Sequence, residues 1–359
     1  MTTPIVSVVM SVFNGDSFLR EAVESILNQS FREFEFTIID DGSTDSSSAI
    51  LDSYQRNDPR VRVYHQENRG LVESLNRGCG LARGKYIARM DADDISFKNR
   101  LLWQVEFMER HPEVGVLGGA TEIINATGKL LTPDTNVVDD YEIKSGLLRG
   151  ECPLVHPTVL MRTDVYLSVG GYRKVAVDAE DFDLWLRFAE HCKLANLDAP
   201  VLKYRRHQCQ VSVRKFRQQA LSNLGARAAA LLRRSGKSDP LDSVEEITPK
   251  VLSELGVTES MQQASVARAY LTSIRSMCDA TEYEVASDLL LEMLHSLDWK
   301  HVKLHIVAEY RFLTARLYWC QGKFLRSILN AGHALITRPI ILARPLKPLL
   351  RWFRRQLAD

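Results

Sequence analysis

The first ninety residues alternate between two hydrophobic periodicities, and this alternation constrains the fold more than any other feature. Residues 5–13, IVSVVMSVF, form a continuous β-branched run typical of a strand covered on both faces. Residues 17–29 then place apolar side chains at helical spacing. The alternation continues with strand-like runs at 34–40, 61–65 and 85–90 and with helical patterns at 43–54 and 71–82. This order predicts a largely parallel sheet between helix layers.

The pattern changes after residue 100, and strand signals stop at about residue 215. Before that point we predict helices over 101–113 and 181–192 and strands over 114–119, 157–172 and 201–207. After it, Ala, Leu, Arg and Glu recur at helical spacing, and the polar loop 235–243 is the expected boundary. We therefore predict an α/β domain over 1–234, followed by a smaller all-α domain over 235–359.

Composition limits the classes of partner and the compartment. The 359 residues carry a net charge of +1, with 45% hydrophobic and 25% charged residues, so nothing in the overall balance favours nucleic acid. Six scattered cysteines without a CxxC pair argue against a disulfide framework. No secretory signal pattern and no uninterrupted apolar stretch of about 18 residues is seen, so we expect a cytoplasmic protein.

Acidic residues are concentrated where predicted strands end. The loops SVFNGD (11–16), DDGSTD (40–45) and MDADD (90–94) follow the first, second and fourth strands, and loops at the carboxyl ends of parallel strands converge on one crevice. Adjacent carboxylates either raise each other's pKa or bind a cation, and Mg²⁺ and Mn²⁺ prefer oxygen ligands. The alternative is a solvated loop that caps the next helix. Asp94 is the weakest candidate of the three, with a cap of the helix expected near Ser96 as its alternative.

Four ordered blocks carry a resemblance to a known family. They are SVVMSVFNG with FLREAVESILNQSFREFEFTIIDDGSTDSS, then ENRGLVESLNRGCGLARGKYIARMDADDIS, then HPTVLMRTDVYLSVGGYR, and finally AEDFDLWLR. Together they resemble family 2 glycosyltransferases, which are inverting enzymes with a GT-A fold. The similarity covers roughly residues 4–215, about 60% of the chain, and does not extend to the C-terminal third. It implies a Rossmann-like, mostly parallel sheet and a nucleotide-sugar donor.

The resemblance implies roles on the donor side of the site. Asp91 and Asp93 match the family's DxD motif, in which the later aspartate binds the metal, Mn²⁺ or Mg²⁺, and the earlier one contacts the sugar or ribose. Asp41 matches an aspartate that accepts a hydrogen bond from the base. The remaining matched positions are Ser11, Phe13 and Asn14, around the base and ribose, and Asn68 and Asn76, in an NxGxxxxxN block for which a structural role is equally open.

An inverting transfer also needs a base for the acceptor hydroxyl. The resemblance assigns Asp181, with Glu180 as the second candidate, although spacing alone favours a helix cap at these positions. His156 matches an acceptor-side position, with a core histidine as the alternative.

The end of the predicted strand 201–207 carries a further matched group. His207 matches a histidine that approaches the metal or diphosphate, and Arg205 and Arg206 are candidates to neutralise phosphate. A solvated basic strand end is the alternative for all three. Trp185 and Leu186, on the helix after Asp181, are expected in the core.

The segment 323–355 holds eight Lys or Arg and no acidic residue, interleaved with Leu, Ile, Trp and Phe. This composition suits an anionic membrane surface, and a terminal helix packed on its own domain is the alternative. The resemblance implies transfer of a sugar, from a UDP-linked donor, to a carbohydrate or polyprenyl-linked acceptor in surface polysaccharide synthesis, at or near the inner face of the cell membrane. A nucleotidyltransferase and a non-catalytic, membrane-associated binding module are the alternatives.

Overall fold

The computed structural model of the chain describes residues 3–133, 137–207, 216–279 and 281–337. These residues divide into two compact units. The first lies within Met1–Val211 and Gly225–Ile247, and the second within Ser212–Leu224 and Thr248–Asp359. The helix Phe216–Arg234 therefore begins in the second unit and ends in the first. The predicted boundary between 234 and 235 stays a prediction.

The first unit is built on a nine-stranded mixed sheet. Its strands are β1 Val6–Val12, β2 Phe34–Asp40, β3 Val61–His65, β4 Tyr86–Met90, β5 Ile95–Ser96, β6 Val114–Asn125, β7 Leu130–Pro133, β8 Leu160–Arg162 and β9 Lys193–Arg206. They are ordered β3-β2-β1-β4-β8-β6-β9-β5, and β7 pairs with β6. The first four strands are mutually parallel, as the alternating sequence pattern predicts. Their carboxyl ends therefore share one edge of the sheet.

Helices connect these strands close to the predicted positions. They are α1 Asp16–Leu27, α2 Ser47–Asn57, α3 Leu71–Gly80, α4 Arg100–Arg110, α5 Asp140–Arg149, α6 Thr163–Ser168 and α7 Glu180–His191. The helix that joins the two units, Phe216–Arg234, is α8. Apolar residues at helical spacing on α1, such as Leu19, Val23 and Ile26, are fully buried, so helical amphipathicity explains the element.

Alternate side chains of β1 belong to buried apolar clusters on the two opposite faces of the sheet. Val6, Val8 and Met10 belong to one buried cluster, with the α1 side chains. Val9 belongs to another, together with Leu75 of α3 and Trp185 of α7. Successive strand residues point to opposite faces, so the continuous apolar run predicted a strand covered on both sides correctly.

The predicted strand over 157–172 is wrong for most of its length. A single 3₁₀ turn, His156–Thr158, is followed by the short β8, and Thr163–Ser168 is α6. Pro157 cannot donate a ladder hydrogen bond, and the paired glycines 170 and 171 both have positive φ, which ends the segment. Only Leu160–Arg162 remains to pair with β4 and β6.

The described residues of the second unit form helices and no strands, as predicted. Its helices are the first part of α8, then α9 Pro249–Glu254, α10 Glu259–Asp279, α11 Tyr283–Ser296, α12 Leu304–Cys320 and α13 Phe324–Thr337. None of the described helices is long and apolar enough to cross a bilayer. Most of the predicted basic amphipathic tail, from 338 onward, lies outside the described residues.

Candidate active site

The loops after β2 and β3 are joined by the Asp41 carboxylate. Its Oδ1 accepts hydrogen bonds from Gln66 Nε2 at 2.7 Å and from the Arg69 backbone N–H at 2.9 Å. Its Oδ2 accepts from the Gly70 backbone N–H at 2.9 Å. Gly42 has φ +77°, and a Cβ there would lie 2.7 Å from the Asn68 nitrogen, so the two loops touch. Asp41 is buried, and its predicted contact to a base stays a prediction.

The loop after β1 is tied to the loop after β2 through Asn14. Asn14 Oδ1 accepts from the Thr44 backbone N–H at 2.8 Å, and the Asn14 N–H donates to Ser43 Oγ at 3.0 Å. Asn14 has φ +52°, a conformation that asparagine tolerates better than most residues. Beside it Phe13 is about half exposed, at 53%. These contacts join the loops after β1 and β2 at the carboxyl edge of the sheet, where the sequence predicts that loops converge. The contacts of Ser11, Phe13, Asn14 and Asn68 with a base and ribose stay predictions.

The acidic cluster follows β4 at the same edge of the sheet. Asp91, Asp93 and Asp94 each offer a carboxylate oxygen, and these oxygens all lie within 4.8 Å of one another. Burial raises the pKa of the Asp91 carboxyl and, more strongly, that of Asp94, and the neighbouring carboxylates add to both effects. Like charges held this closely favour either a proton or a cation.

The structure excludes the capping alternative for Asp94. Residues 95 and 96 form β5 rather than a helix, and α4 begins later, with Asn99 as its N-cap. Asp94 is 1% exposed, its Oδ1 accepts from the Arg205 backbone N–H at 2.8 Å, and its Oδ2 has no hydrogen-bond partner among the described residues. Asp94 therefore belongs to the acidic cluster, and its Oδ2 accepts no hydrogen bond from the described residues.

The end of β9 holds this cluster in place. Arg205 Nε donates to the Asp93 carbonyl at 2.7 Å, and its Nη1 and Nη2 donate to the Ala126 carbonyl and to Glu21 Oε2. The suggested phosphate role of Arg205 is therefore replaced by a structural one, because its guanidinium is buried and bonded within the protein. His207 Nε2 lies 2.8 Å from Asp93 Oδ2. Arg206, between them, is half-buried.

A buried arginine at the end of β4 contacts the cluster. The Arg89 guanidinium is 4% exposed and forms an ion pair with Asp91, while its Nε has no hydrogen-bond partner among the described side chains and backbone. Burial works against the charged form, but Asp91 raises the pKa of Arg89, so the side chain stays cationic. Arg89 is thus a fixed positive charge beside the acidic cluster.

The first turn of α7 carries the two candidate bases. Ala179, rather than either acid, is the N-cap of α7, and Asp181 Oδ1 accepts from the Phe182 backbone N–H at 2.6 Å. Burial raises the pKa of Asp181, whereas the Phe182 N–H and the charge of Arg89 lower it. Burial and the charge of Asp181 raise the pKa of Glu180 to about 8. A proton held by this pair at neutral pH therefore resides on Glu180.

Two further side chains line the Asp181 side of the site. Cys152 Sγ lies 4.0 Å from Asp181 Oδ2 and 3.4 Å from the Leu154 carbonyl. His156 is buried, with Nε2 2.8 Å from the Tyr172 hydroxyl, and burial together with the charge of Arg89 holds its pKa well below the usual range. His156 is therefore neutral, and its contacts match the core alternative more closely than a solvent-facing acceptor contact. Trp185 lies in the core as predicted.

Asn76 bridges α3 to the segment before α7. Its Nδ2 donates to the Tyr172 carbonyl at 2.9 Å, and its Oδ1 accepts from the Tyr166 hydroxyl at 2.7 Å and from the Tyr172 N–H at 3.0 Å. These contacts occupy the amide, so they favour the structural alternative for Asn76. Its contact to a nucleotide stays a prediction.

Arg89, Tyr172 and Cys152 were not singled out from the sequence. For Arg89 a signal existed, since a charged residue inside the buried run KYIARM requires a buried partner. No comparable signal marked Tyr172 or Cys152, because both reach the site from loops.

Comparison with known proteins identifies the family. Residues 7–167 match the family model described as Glycosyl transferase family 2. The glycosyltransferase EpsE of Bacillus subtilis is 37% identical over 195 residues, which cover 52% of this chain and 67% of EpsE. The O-antigen biosynthesis glycosyltransferase WbnJ of Escherichia coli is 32% identical over 207 residues, 56% of this chain and 80% of WbnJ. The chain belongs to family 2 of the glycosyltransferases.

Solved structures show the fold of this family 2 protein. TarS 1–349 of S. aureus, solved in complex with UDP-GlcNAc, aligns over 91% of this chain and 90% of the TarS chain, with a TM-score of 0.54 and 15% sequence identity. A second TarS structure, in complex with UDP, aligns with a TM-score of 0.53. At this identity the likeness concerns the fold alone, which is GT-A with an all-helical C-terminal region, as predicted.

Proposed function

We propose that this family 2 glycosyltransferase moves a sugar, with inversion at the anomeric carbon, from a UDP-sugar to a carbohydrate or lipid-linked carbohydrate in surface polysaccharide synthesis. One observation carries the proposal. Asp91 and Asp94 after β4, together with Asp181 on α7, interact electrostatically with the same buried cation, Arg89. A cluster that could bind a divalent cation, which would neutralise a departing diphosphate, and a base that could accept a proton therefore both lie within electrostatic range of Arg89.

The donor side uses the crevice walls and the acidic cluster. Ser11, Phe13, Asn14 and Asn68 surround the base and ribose, and Asp41 holds the 66–70 loop against them. The cluster fits a divalent cation, Mn²⁺ or Mg²⁺, because it offers three oxygens within 4.8 Å, and the buried Asp94 also has an unpartnered Oδ2 among the described residues. A bound cation would be held by Asp93 and its neighbours and would neutralise the charge that develops on the diphosphate.

Two basic side chains complete the donor side. His207 orients the Asp93 carboxylate through its 2.8 Å contact, within reach of the same oxygens. Arg206 follows at the end of β9 and is assigned to the diphosphate. Both assignments rest on the position of these residues beside the cluster.

The acceptor side uses Asp181 as general base. Its carboxylate takes the proton of the attacking hydroxyl, and Glu180, protonated at neutral pH, supplies no competing base. The charge of Arg89 lowers the pKa of Asp181, against the effect of burial. His156, held neutral against Tyr172, shapes the wall without carrying charge.

The acceptor and the pathway are supported by the relatives. WbnJ is named for O-antigen biosynthesis, and its similarity favours a carbohydrate acceptor on a lipid carrier. A polyprenyl-linked acceptor would place the enzyme at the inner face of the cell membrane, as a peripheral protein. The donor is assigned as UDP-linked because TarS was solved with UDP and UDP-GlcNAc.

A donor panel tests the chemistry. Full-length protein is incubated with UDP-, GDP- and TDP-sugars in Mn²⁺ or Mg²⁺, and nucleotide release is measured with and without simple glycoside acceptors. We expect release from UDP-sugars that is lost by about 10²-fold or more in Asp93→Asn, because the cluster then lacks one carboxylate. Asp198→Asn, at an exposed aspartate of β9, is the matched control and should keep full activity.

Two outcomes would contradict the proposal. Full activity of Asp93→Asn would remove the acidic cluster from the reaction. A nucleotidyltransferase would be indicated by two results together. The protein would bind UDP in a cation-dependent way without releasing nucleotide from any sugar donor, and it would release pyrophosphate from a nucleoside triphosphate. Proton NMR of the product then reports whether the anomeric configuration is inverted.

A further inference from the structure

Asp183 is a fully buried aspartate in the first turn of α7, and the proposed reaction gives it no role. It follows the proposed base, Asp181, by two residues. At 100° per residue, two residues correspond to a rotation of about 200°, so the two side chains leave α7 on nearly opposite sides. The role of Asp183 therefore lies in the contacts that it makes within the protein.

Two arginines bind the Asp183 carboxylate. Arg173 donates to both of its oxygens, from Nε at 3.0 Å and from Nη2. Arg187, one turn later on α7, donates to Asp183 Oδ2 from Nε at 3.1 Å and from Nη2 at 2.8 Å. Arg187 also donates to the carbonyls of Val169 and Gly171, at 2.5 and 2.7 Å. The first turn of α7 is therefore bonded to the segment that precedes it in the chain.

The ion pairs continue to the end of α8 and the turn that follows it. Arg173 Nη1 donates to Asp239 Oδ2 at 2.8 Å, and Arg233 Nη1 donates to the same oxygen. Nε and Nη2 of Arg233 donate to Glu190 at distances from 2.7 to 3.0 Å. Because Glu190 lies in the last turn of α7 and Asp183 in the first, one network of ion pairs holds both ends of this helix.

These contacts are better suited to fixing a direction than to adding stability. A buried ion pair contributes little net stability compared with well-packed apolar side chains, because removing two charges from water opposes their attraction. A guanidinium that donates two hydrogen bonds to one carboxylate does, however, restrict the orientation of both groups. Rotation of the first turn of α7 would break the two hydrogen bonds from Arg173 and strain those from Arg187 to the preceding segment.

We propose that Asp183 is a positioning residue for the general base. Held by Arg173 and Arg187, it fixes the rotation of α7 and so the direction of the Asp181 carboxylate toward the acceptor hydroxyl. Asp239 supports this arrangement because it binds Arg173. This role rests on the proposed function, since Asp181 is taken as the base.

The variant Asp183→Asn tests this role in the full-length protein. The amide keeps the shape of the side chain, but it has one oxygen instead of two and carries no charge. UDP titration calorimetry gives the number of folded donor sites, and the rate of UDP release from a UDP-sugar with a glycoside acceptor is divided by that number. We expect kcat per UDP-binding site to fall about tenfold or more, because a small misplacement of the base slows the reaction. The Kd for UDP should stay unchanged.

The pH profile separates position from charge. The main influences on the pKa of Asp181 are burial, the Phe182 N–H and Arg89. A displaced base should therefore lower the plateau of the kcat/KM profile and leave its acidic limb in place. Movement of the acidic limb at an unchanged plateau would overturn the proposal, since charge rather than position would then explain the effect.

Two further carboxylates contact Arg173 Nη1 and provide a matched pair. The Asp239 side chain is 8% exposed, whereas that of Asp242, 3.2 Å from the same nitrogen, is 71% exposed. Asp239→Asn should lower kcat per UDP-binding site by about threefold or more, and Asp242→Asn should leave it unchanged, because an exposed ion pair contributes little. Asp239→Asn also decides the question if Asp183→Asn contains no UDP-binding sites.

A merely structural role would leave fewer folded sites at an unchanged rate per site. That result for Asp183→Asn, or for Asp239→Asn where Asp183→Asn does not bind UDP, would overturn the proposal. Asp181→Asn separates this outcome from failure of the proposed function. If Asp181→Asn keeps the native rate per site, Asp181 is not the base and both assignments fail. If Asp181→Asn loses the rate while Asp183→Asn keeps it, the positioning role alone fails.

Discussion

The Asp41 carboxylate offers the sharpest test of how the donor crevice is built. It already accepts three hydrogen bonds from the 66–70 loop, at 2.7, 2.9 and 2.9 Å, so a predicted contact to a nucleobase would be an addition to a structural role. Asp41→Asn replaces one carboxylate oxygen by an NH₂ group, which cannot accept from a backbone N–H. We expect the variant to lose the Gly70 contact and to hold the loop less firmly.

The size of the effect follows from these contacts. A buried N–H left without an acceptor costs about 1–3 kcal/mol, and a hydrogen bond to a neutral group contributes ~1 kcal/mol less than one to a charged group. One lost bond and two that become neutral therefore give an expected loss of about 3–5 kcal/mol in the free energy of unfolding of the first unit. For a unit of this size the melting temperature should fall by roughly 6–20 °C.

Differential scanning calorimetry and UDP titration calorimetry check this expectation together. Asp198→Asn, at an exposed aspartate, should change neither reading. Asp41→Asn should lower both the melting temperature and the affinity for UDP. An unchanged melting temperature with lost UDP affinity would refute the argument that Asp41 organises the loop, and it would leave the contact to the base as its sole role.

Three further substitutions have defined outcomes. Arg89→Met removes a charge that lowers the pKa of Asp181. Because the base acts when ionised, activity falls as pH drops through that pKa, so the acidic limb of the kcat/KM profile should move to higher pH in this variant. Arg89→Lys keeps the charge and should leave the acidic limb in place. Gly42→Ala, with φ +77° and the Asn68 nitrogen 2.7 Å from the added Cβ, should destabilise the protein by about 1–3 kcal/mol in chemical denaturation. Asn76→Ala loses three hydrogen bonds and should cost about 2–4 kcal/mol in the same assay, with kcat little changed.

Much of the first unit was predictable from local periodicity. Parallel strands covered on both faces have continuous apolar sequences, and their helices have clear amphipathic spacing, so β2 and β3 were predicted to the residue. The convergence of loops at the carboxyl edge also followed, because it depends only on strand order. Strand order and loop position together were therefore enough to predict that Asp91 and Asp93 lie in one cluster.

The remaining features depend on contacts that are distant in sequence. Asp94 looked like a helix cap because Asp is a favoured cap, yet its partner is the Arg205 backbone, 111 residues away. Arg205 looked like a phosphate ligand, but its guanidinium is bonded to groups on other segments. The contact between Arg173 and Asp239, 66 residues apart, was equally hidden.

The hydrogen bonds from β9 to the acidic loop also have a consequence for the order of folding. All three aspartates have been translated once the chain reaches residue 94. The contacts that fix Asp93 and Asp94 come from Arg205 and His207, which are translated much later. Closing so long a loop is slow relative to forming local helices. A nascent chain that has completed β5 therefore carries all three carboxylates, but Asp93 and Asp94 still lack the contacts that fix them. The site forms only when β9 pairs with the sheet. The carboxylates are therefore buried only after the residues that contact them have been translated.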